Sequence, residues 1–134
     1  MQQHVLPYPT GNIHPRFWSW VGGTGTPTQL LADMVISTMN SCSLGFDEAA
    51  SSHVELQLLD WLKELLGYPQ DASGLLVSGG SMANLVGLAV ARTAKAGYDV
   101  RGSGINTRNQ PRLVYYASTE THSSVRKGME LLGL

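Results

Sequence analysis

The run GLLVSGGSMANL at 74–85 constrains the fold most, because a short apolar segment meets two glycines and then a helical pattern. It predicts a strand at 75–78 that leads into a helix beginning at Ser81. The first N–H groups of such a helix have no intrahelical partner, and the helix dipole places partial positive charge behind them. Gly79 and Gly80 let the backbone approach an anion closely, and Ser81 is expected to cap the helix or to bind that anion. The run therefore predicts a phosphate site, with an unliganded turn before a capped helix as the alternative.

The overall composition is that of one ordinary globular domain. The chain has 134 residues, a net charge of -1 and 43% hydrophobic residues, which allows a core of modest size. Because it has no basic cluster, no long apolar stretch and no export signal, we expect no nucleic-acid partner, no membrane span and a cytoplasmic location. Cys42 is the only cysteine, so we expect no internal disulfide and a buried small side chain. Histidines and carboxylates lack metal-ligand spacing, and we expect no metal site.

The first 25 residues combine proline, glycine and aromatic residues without a sustained period, which predicts an extended arm. Aromatic side chains such as Phe17, Trp18 and Trp20 would be exposed on a bare arm. We therefore expect this arm to pack against another part of the fold or against a second subunit.

Two helices are predicted before the glycine run. The first is capped by Thr26, has a proline in its first turn and ends near Asn40. The second opens with a capping box formed by Ser52 and Glu55, carries an apolar stripe and ends at Gly67.

The second half of the chain predicts an α/β arrangement. A helix from 81 to about 97, with small residues on one side as packing against a sheet requires, precedes a polar loop at 97–111. A strand at 113–117 and a final helix follow. This order favours parallel strands joined by a right-handed crossover, whose carboxyl ends share one edge of the sheet. The glycine turn and His122 would then face one crevice, where His122 could cap a helix, shuttle protons or lie against a planar ligand.

Ordered segments of the chain together resemble the pyridoxal-phosphate-dependent amino-acid decarboxylases, a group that includes the aromatic amino-acid and glutamate decarboxylases. The matching segments are HPRF at 14–17, the helix at 52–62, SGGSMANL at 78–85 and YASTETHSSV at 116–125. They extend over nearly the whole chain from about Pro9. The resemblance implies the large cofactor-binding domain of the aspartate-aminotransferase-like (type I) fold, with 1–25 as an extended aromatic arm and 26–134 as part of that α/β domain.

The same resemblance implies which residues form the site. Gly80 and Ser81 would hold the phosphate of pyridoxal 5'-phosphate, while Gly79 and Asn84 shape the turn. His122 would be the catalytic residue, stacked on the pyridine ring beside the substrate carboxylate. The full set of implied cofactor contacts is Gly79, Gly80, Ser81, Asn84, Thr119, His122 and Ser124. The implied substrate-pocket residues are Phe17, Trp18, Trp20, Val21 and Gly22.

The activity implied is decarboxylation of an L-amino acid to an amine and carbon dioxide by a homodimeric carboxy-lyase of amino acid metabolism. The family's Schiff-base lysine and ring-nitrogen aspartate lie downstream of its histidine motif. Here the lysines are Lys63, Lys95 and Lys127, and no aspartate follows Asp99. We therefore expect an amino-terminal fragment, inactive by itself, that associates with a second copy or with the rest of its parent enzyme. The alternatives are another type I pyridoxal-phosphate enzyme and a non-catalytic phosphate-binding or dimerising module.

Overall fold

The regular structure of the described residues is helical. A computed structural model describes residues 2–4, 6–7, 9–41, 50–105 and 108–134, so Cys42 lies outside the described residues. The helices are α1 (Pro27–Met39), α2 (Ala50–Leu66), α3 (Gly80–Lys95), α4 (Val100–Ser103) and α5 (Ser123–Leu131). Contacts divide the chain into two units, Met1–His53 and Val54–Leu134. The predicted arm, 1–25, and predicted domain, 26–134, stay predictions.

Helix α1 begins and ends where the sequence predicts. Thr26 Oγ1 accepts a hydrogen bond from the N–H of Gln29 at 3.2 Å. Pro27 follows at the first helical position, where its missing N–H would have had no helical partner. Asn40 adopts the left-handed conformation, with φ of 41°, and ends the helix. Both predicted helix signals are confirmed.

The start of α2 differs from the prediction. The helix begins at Ala50, so Ser52 and Glu55 lie inside it, and the predicted capping box is wrong. Glu55 Oε1 instead accepts a hydrogen bond at 2.8 Å from the N–H of Leu76, which is distant in sequence. The physical reason is that this carboxylate satisfies a tertiary backbone donor rather than a donor at the start of its own helix.

The end of α2 is as predicted, because Gly67 provides the left-handed turn. Its φ is 69°, a conformation that glycine adopts without steric cost. The N–H of Tyr68 donates to the carbonyl of Lys63 at 2.9 Å, as in the common glycine-terminated helix end.

Neither predicted strand, at 75–78 or at 113–117, forms in the described part of the chain. A strand requires a ladder of hydrogen bonds to a neighbouring strand. The N–H of Leu76 is instead taken by the side chain of Glu55. The side chains of Leu75 and Leu76 remain 57% and 51% exposed. The described residues therefore do not show the predicted parallel sheet, and the α/β architecture stays a proposal.

The segment predicted as a polar loop at 97–111 contains the short helix α4, so that prediction is wrong at these positions. Asp99 caps this helix. Its Oδ1 accepts from the N–H groups of Arg101 and Gly102 at 3.0 Å and 3.1 Å. One well-placed carboxylate thus offsets the low helix propensity of a glycine-containing segment.

Helices α3 and α5 pack against each other and form the centre of the second unit. Gly128 of α5 faces α3, where an added Cβ would lie 3.0 Å from Leu88 Cδ1 and 3.8 Å from Leu85 Cα. Met129 is buried beside it. Arg92 of α3 donates from Nη1 to the carbonyl of Leu132 at 2.9 Å, which satisfies the end of α5.

The small-residue side of α3 is not covered by a sheet in the described residues. Ala83, Gly87, Ala91 and Ala94 are all exposed. That this side packs against a sheet stays a prediction. In the described chain, the bulkier residues Leu85 and Leu88 make the contact with α5.

Gly128→Leu should destabilise the second unit, because its side chain must enter the close contact with Leu88. We expect the free energy of unfolding to fall by roughly 1–3 kcal/mol, the usual cost of overpacking. Gly87→Leu is the matched control, since nothing among the described residues lies within 4 Å of a Cβ there. Urea unfolding of both variants measures the difference, and equal stabilities would contradict the packing described.

Glu55→Ala should release the backbone of Leu76. We expect a loss of about 0.5–1.5 kcal/mol in unfolding free energy, the net value of one hydrogen bond. Hydrogen exchange at the Leu76 amide should accelerate as well. Glu64→Ala, an exposed change on the same helix, is the control and should leave that amide unchanged. Unaltered exchange at Leu76 in Glu55→Ala would show that the hydrogen bond is not formed in solution.

Candidate functional site

The glycine turn leaves the start of α3 open. Gly79 occupies the position before the helix, with φ of 85° and ψ of 164°, and contributes no side-chain cap. Ser81 is therefore the second residue of the helix rather than its cap, so the predicted capping role of Ser81 is wrong. The cause is that the positive φ needed at this turn falls on Gly79. Among the described residues, nothing lies within 4 Å of a Cβ added at Gly79 or Gly80. The turn can accept a ligand close to its backbone.

His122 occupies the position before α5 and caps it. Its Nδ1 accepts from the N–H of Ser124 at 3.2 Å and lies 2.8 Å from the Ser124 hydroxyl oxygen. Helix capping, one of the three roles that the sequence left open for this histidine, is thus confirmed. The ring is held by one nitrogen, which leaves Nε2 free of this cap.

A hydrogen bond joins the beginnings of α3 and α5. Asn84 Nδ2 donates to Ser124 Oγ at 2.9 Å, and Ser124 in turn contacts His122. Asn84 lies three positions after Ser81, so the two share one side of α3. The structure therefore brings Asn84, Ser124 and His122 together, on the side of α3 that also carries Ser81.

Thr119 lines a hydroxyl-rich cavity of about 640 Å³ around the start of α5. Its lining consists of Tyr115, Ala117, Ser118, Thr119, Thr121, Ser123, Val125 and Arg126. Within the described residues, neither the glycine turn nor His122 belongs to this lining. The role of Thr119 as a cofactor contact stays a prediction.

The implied substrate-pocket residues lie in the first unit and are only partly gathered. Phe17, Trp20 and Gly22 line a cavity of about 370 Å³. The rings of Phe17 and Trp20 meet edge to face, with centroids 5.5 Å apart. Trp18 and Val21 lie outside that lining, and Trp18 is 90% exposed. The pocket assignment stays a prediction for all five residues.

The sequence did not predict the link between Asn84 and the histidine cap. Asn84 and Ser124 are 40 positions apart in the sequence, and no periodic pattern connects them. The available signals were local ones: an amide one turn into α3 and a hydroxyl two residues after His122. Only the packing of α3 on α5 makes them neighbours.

Comparison with known proteins gives consistent matches over most or all of the chain. Residues 1–134 match the family described as "Pyridoxal-dependent decarboxylase conserved domain". The chain is 38% identical over 121 residues to the aromatic-L-amino-acid decarboxylase of Bacillus atrophaeus, covering 90% of this chain and 23% of that protein. It is 31% identical over 115 residues to the L-2,4-diaminobutyrate decarboxylase of Acinetobacter baumannii, covering 78% and 22%. A phenylacetaldehyde synthase of a Rosa hybrid cultivar is 24% identical over 135 residues, covering 100% and 27%.

The chain spans about a quarter of the length of these curated relatives. No solved structure matches it. Within the described ranges, no helix has the length and apolar character needed to cross a bilayer. The family expected from the ordered segments is confirmed: the chain belongs to the pyridoxal-dependent decarboxylase family, whose cofactor is pyridoxal 5'-phosphate.

Proposed function

We propose that this chain forms part of the cofactor-binding domain of a carboxy-lyase that converts an L-amino acid to an amine and carbon dioxide. The type I α/β architecture belongs to the same proposal and is supported by the family match. The observation that carries the functional proposal is the hydrogen-bonded meeting of α3 and α5. It joins the helix that begins at the glycine turn to the helix that His122 caps.

The open turn before α3 fits the phosphate of the cofactor. Backbone N–H groups at a helix start, with the positive end of the dipole behind them, favour an anionic ligand. Gly79 and Gly80 leave room for close approach, and the Ser81 hydroxyl is not used as a cap. In our proposal, Gly80 and Ser81 bind the phosphate, Gly79 sets the turn and Thr119 adds a contact.

His122 is proposed to contact the cofactor ring. Its own hydrogen bonds hold Nδ1 at the start of α5, which restricts the imidazole plane. A restrained planar ring can pack against a second planar ring, exclude water from that side and exchange a proton at Nε2. When bound, pyridoxal phosphate supplies the electron sink for the charge left as carbon dioxide departs.

The aromatic segment of the first unit is proposed to line the substrate pocket, through Phe17, Trp18, Trp20, Val21 and Gly22. Large apolar rings beside small glycines suit an amino acid with a bulky side chain. Trp18 and Trp20 are 90% and 79% exposed, and exposed tryptophans favour a protein interface. We accordingly propose association as a homodimer or with further parts of the enzyme. A cytoplasmic location stays a prediction.

Titration with pyridoxal phosphate, followed by amide NMR, tests the proposed phosphate site. We expect the amide signals of 79–81 to shift, and Ser81→Ala to weaken binding about ten- to a hundredfold through loss of one hydrogen bond to a charged group. Gly80→Leu should abolish the shifts without loss of stability, since its Cβ would meet open space. Ser51→Ala, an exposed change on α2, is the control.

Inorganic phosphate and a nucleotide, titrated in parallel, separate the competing functions. Preference for pyridoxal phosphate over both ligands supports the decarboxylase assignment. Stronger binding of the nucleotide would favour a different phosphate-binding module, and absence of shifts at 79–81 with every ligand would contradict the site.

A further inference from the structure

We propose that Asn84 and Ser124 are positioning residues that hold His122 as the Nε2–H tautomer. The proposal rests on the proposed function, because it specifies which atom of His122 offers a proton to the cofactor and substrate. Its basis is a chain of hydrogen bonds from Asn84 Nδ2 to Ser124 Oγ, at 2.9 Å, and from Ser124 to His122 Nδ1, at 2.8 Å.

The donors in this series of hydrogen bonds are all directed from Asn84, through Ser124, towards the ring of His122. An amide nitrogen can only donate, so Ser124 Oγ accepts from Asn84 and its own hydrogen is directed elsewhere. The backbone N–H of Ser124 can only donate as well, and it approaches the same Nδ1 at 3.2 Å. Nδ1 is therefore an acceptor. The neutral imidazole then carries its one hydrogen on Nε2.

Burial makes this arrangement persistent. Ser124 is 7% exposed and is the buried polar residue of the described chain. A buried hydroxyl that accepts one hydrogen bond and donates another has its hydrogen committed. Ser124 therefore acts on the site through His122 rather than as a donor to the cofactor phosphate.

His14 provides an internal comparison. Its Nδ1 also accepts from a backbone N–H two residues later, that of Arg16, at 3.1 Å. This is the same kind of two-residue backbone contact that His122 makes with Ser124. Among the hydrogen bonds of the described residues, however, no serine hydroxyl reaches the His14 ring. His14 therefore serves as a comparison histidine that has the backbone contact without the serine hydroxyl.

The consequence for the site is that the single ring hydrogen of neutral His122 lies on Nε2. With Nδ1 facing Ser124, the ring's N–H points away from the helix start. A histidine in this state donates a hydrogen bond while neutral, and its plane is held by contacts at a single edge. The side-chain amide of Asn84 sets the direction of this series of hydrogen bonds, because its donation to Ser124 Oγ directs the Ser124 hydroxyl hydrogen towards the ring.

Imidazole ¹⁵N NMR of the 134-residue chain tests this assignment in alkaline buffer, where histidine is neutral. His122 should show Nδ1 as an acceptor and Nε2 protonated. Ser124→Ala should raise the ratio of Nδ1–H to Nε2–H roughly fivefold, the factor that corresponds to one net hydrogen bond. Ser123→Ala, which removes the neighbouring hydroxyl, should leave the tautomer ratio of His122 unchanged. Neither serine variant should change the tautomer ratio of His14.

Asn84→Asp is the second, independent variant. A carboxylate can only accept, so it draws the Ser124 hydrogen to itself and presents the serine lone pairs to the ring, raising the Nδ1–H population. Asn84 is exposed, so this variant decides the matter if Ser124→Ala does not fold. Unchanged His122 signals in folded Asn84→Asp, or the same response in Ser123→Ala as in Ser124→Ala, would overturn the proposal.

The measurement needs no cofactor, so its outcome is separate from that of the phosphate titration. A directed tautomer without binding of pyridoxal phosphate would contradict the proposed function alone. Binding of pyridoxal phosphate with a tautomer indifferent to Asn84 and Ser124 would contradict this inference alone.

Discussion

The packing of α5 on α3 is the contact on which the second unit depends. Gly128 permits the approach, because the space that a side chain would fill is occupied by Leu88. At one end of the pair, Arg92 satisfies the carbonyl of Leu132, and elsewhere Asn84 reaches Ser124. The same helix contact contains the buried residues of α5 and the hydrogen bond that leads to His122. The candidate site therefore depends on the packing of the core.

The site follows from two different ways of beginning a helix. α3 is preceded by Gly79, whose φ is positive and which provides no side-chain cap for the first N–H groups of the helix. α5 is preceded by His122, which caps it by accepting a hydrogen bond from the N–H of Ser124. An uncapped start favours an anion and a capped start holds a planar ring in place. This pair of helix starts is the basis of our proposal that the site binds a ligand with a phosphate and an aromatic ring.

Local signals predicted local structure well. Thr26 and Pro27 mark the start of α1, and Gly67 marks the end of α2, because caps and turns depend on a few adjacent residues. The capping box of Ser52 and Glu55 failed since the Glu55 carboxylate had a tertiary donor to satisfy. The strand predictions failed in the described chain for a related reason. A strand is stable only with a partner, and apolar residues at 75–78 do not specify where that partner comes from.

By itself, the sequence determined the family, which its ordered segments indicate and the match over residues 1–134 confirms, and it determined both ends of α1 and the end of α2. These are properties of neighbouring residues, and they need no knowledge of what lies across the fold. The tertiary structure alone decided that Asn84 donates to Ser124 and that Glu55 accepts from the N–H of Leu76. Such contacts join residues tens of positions apart, and they exist only once helix packing has brought the donors within hydrogen-bonding distance of their acceptors.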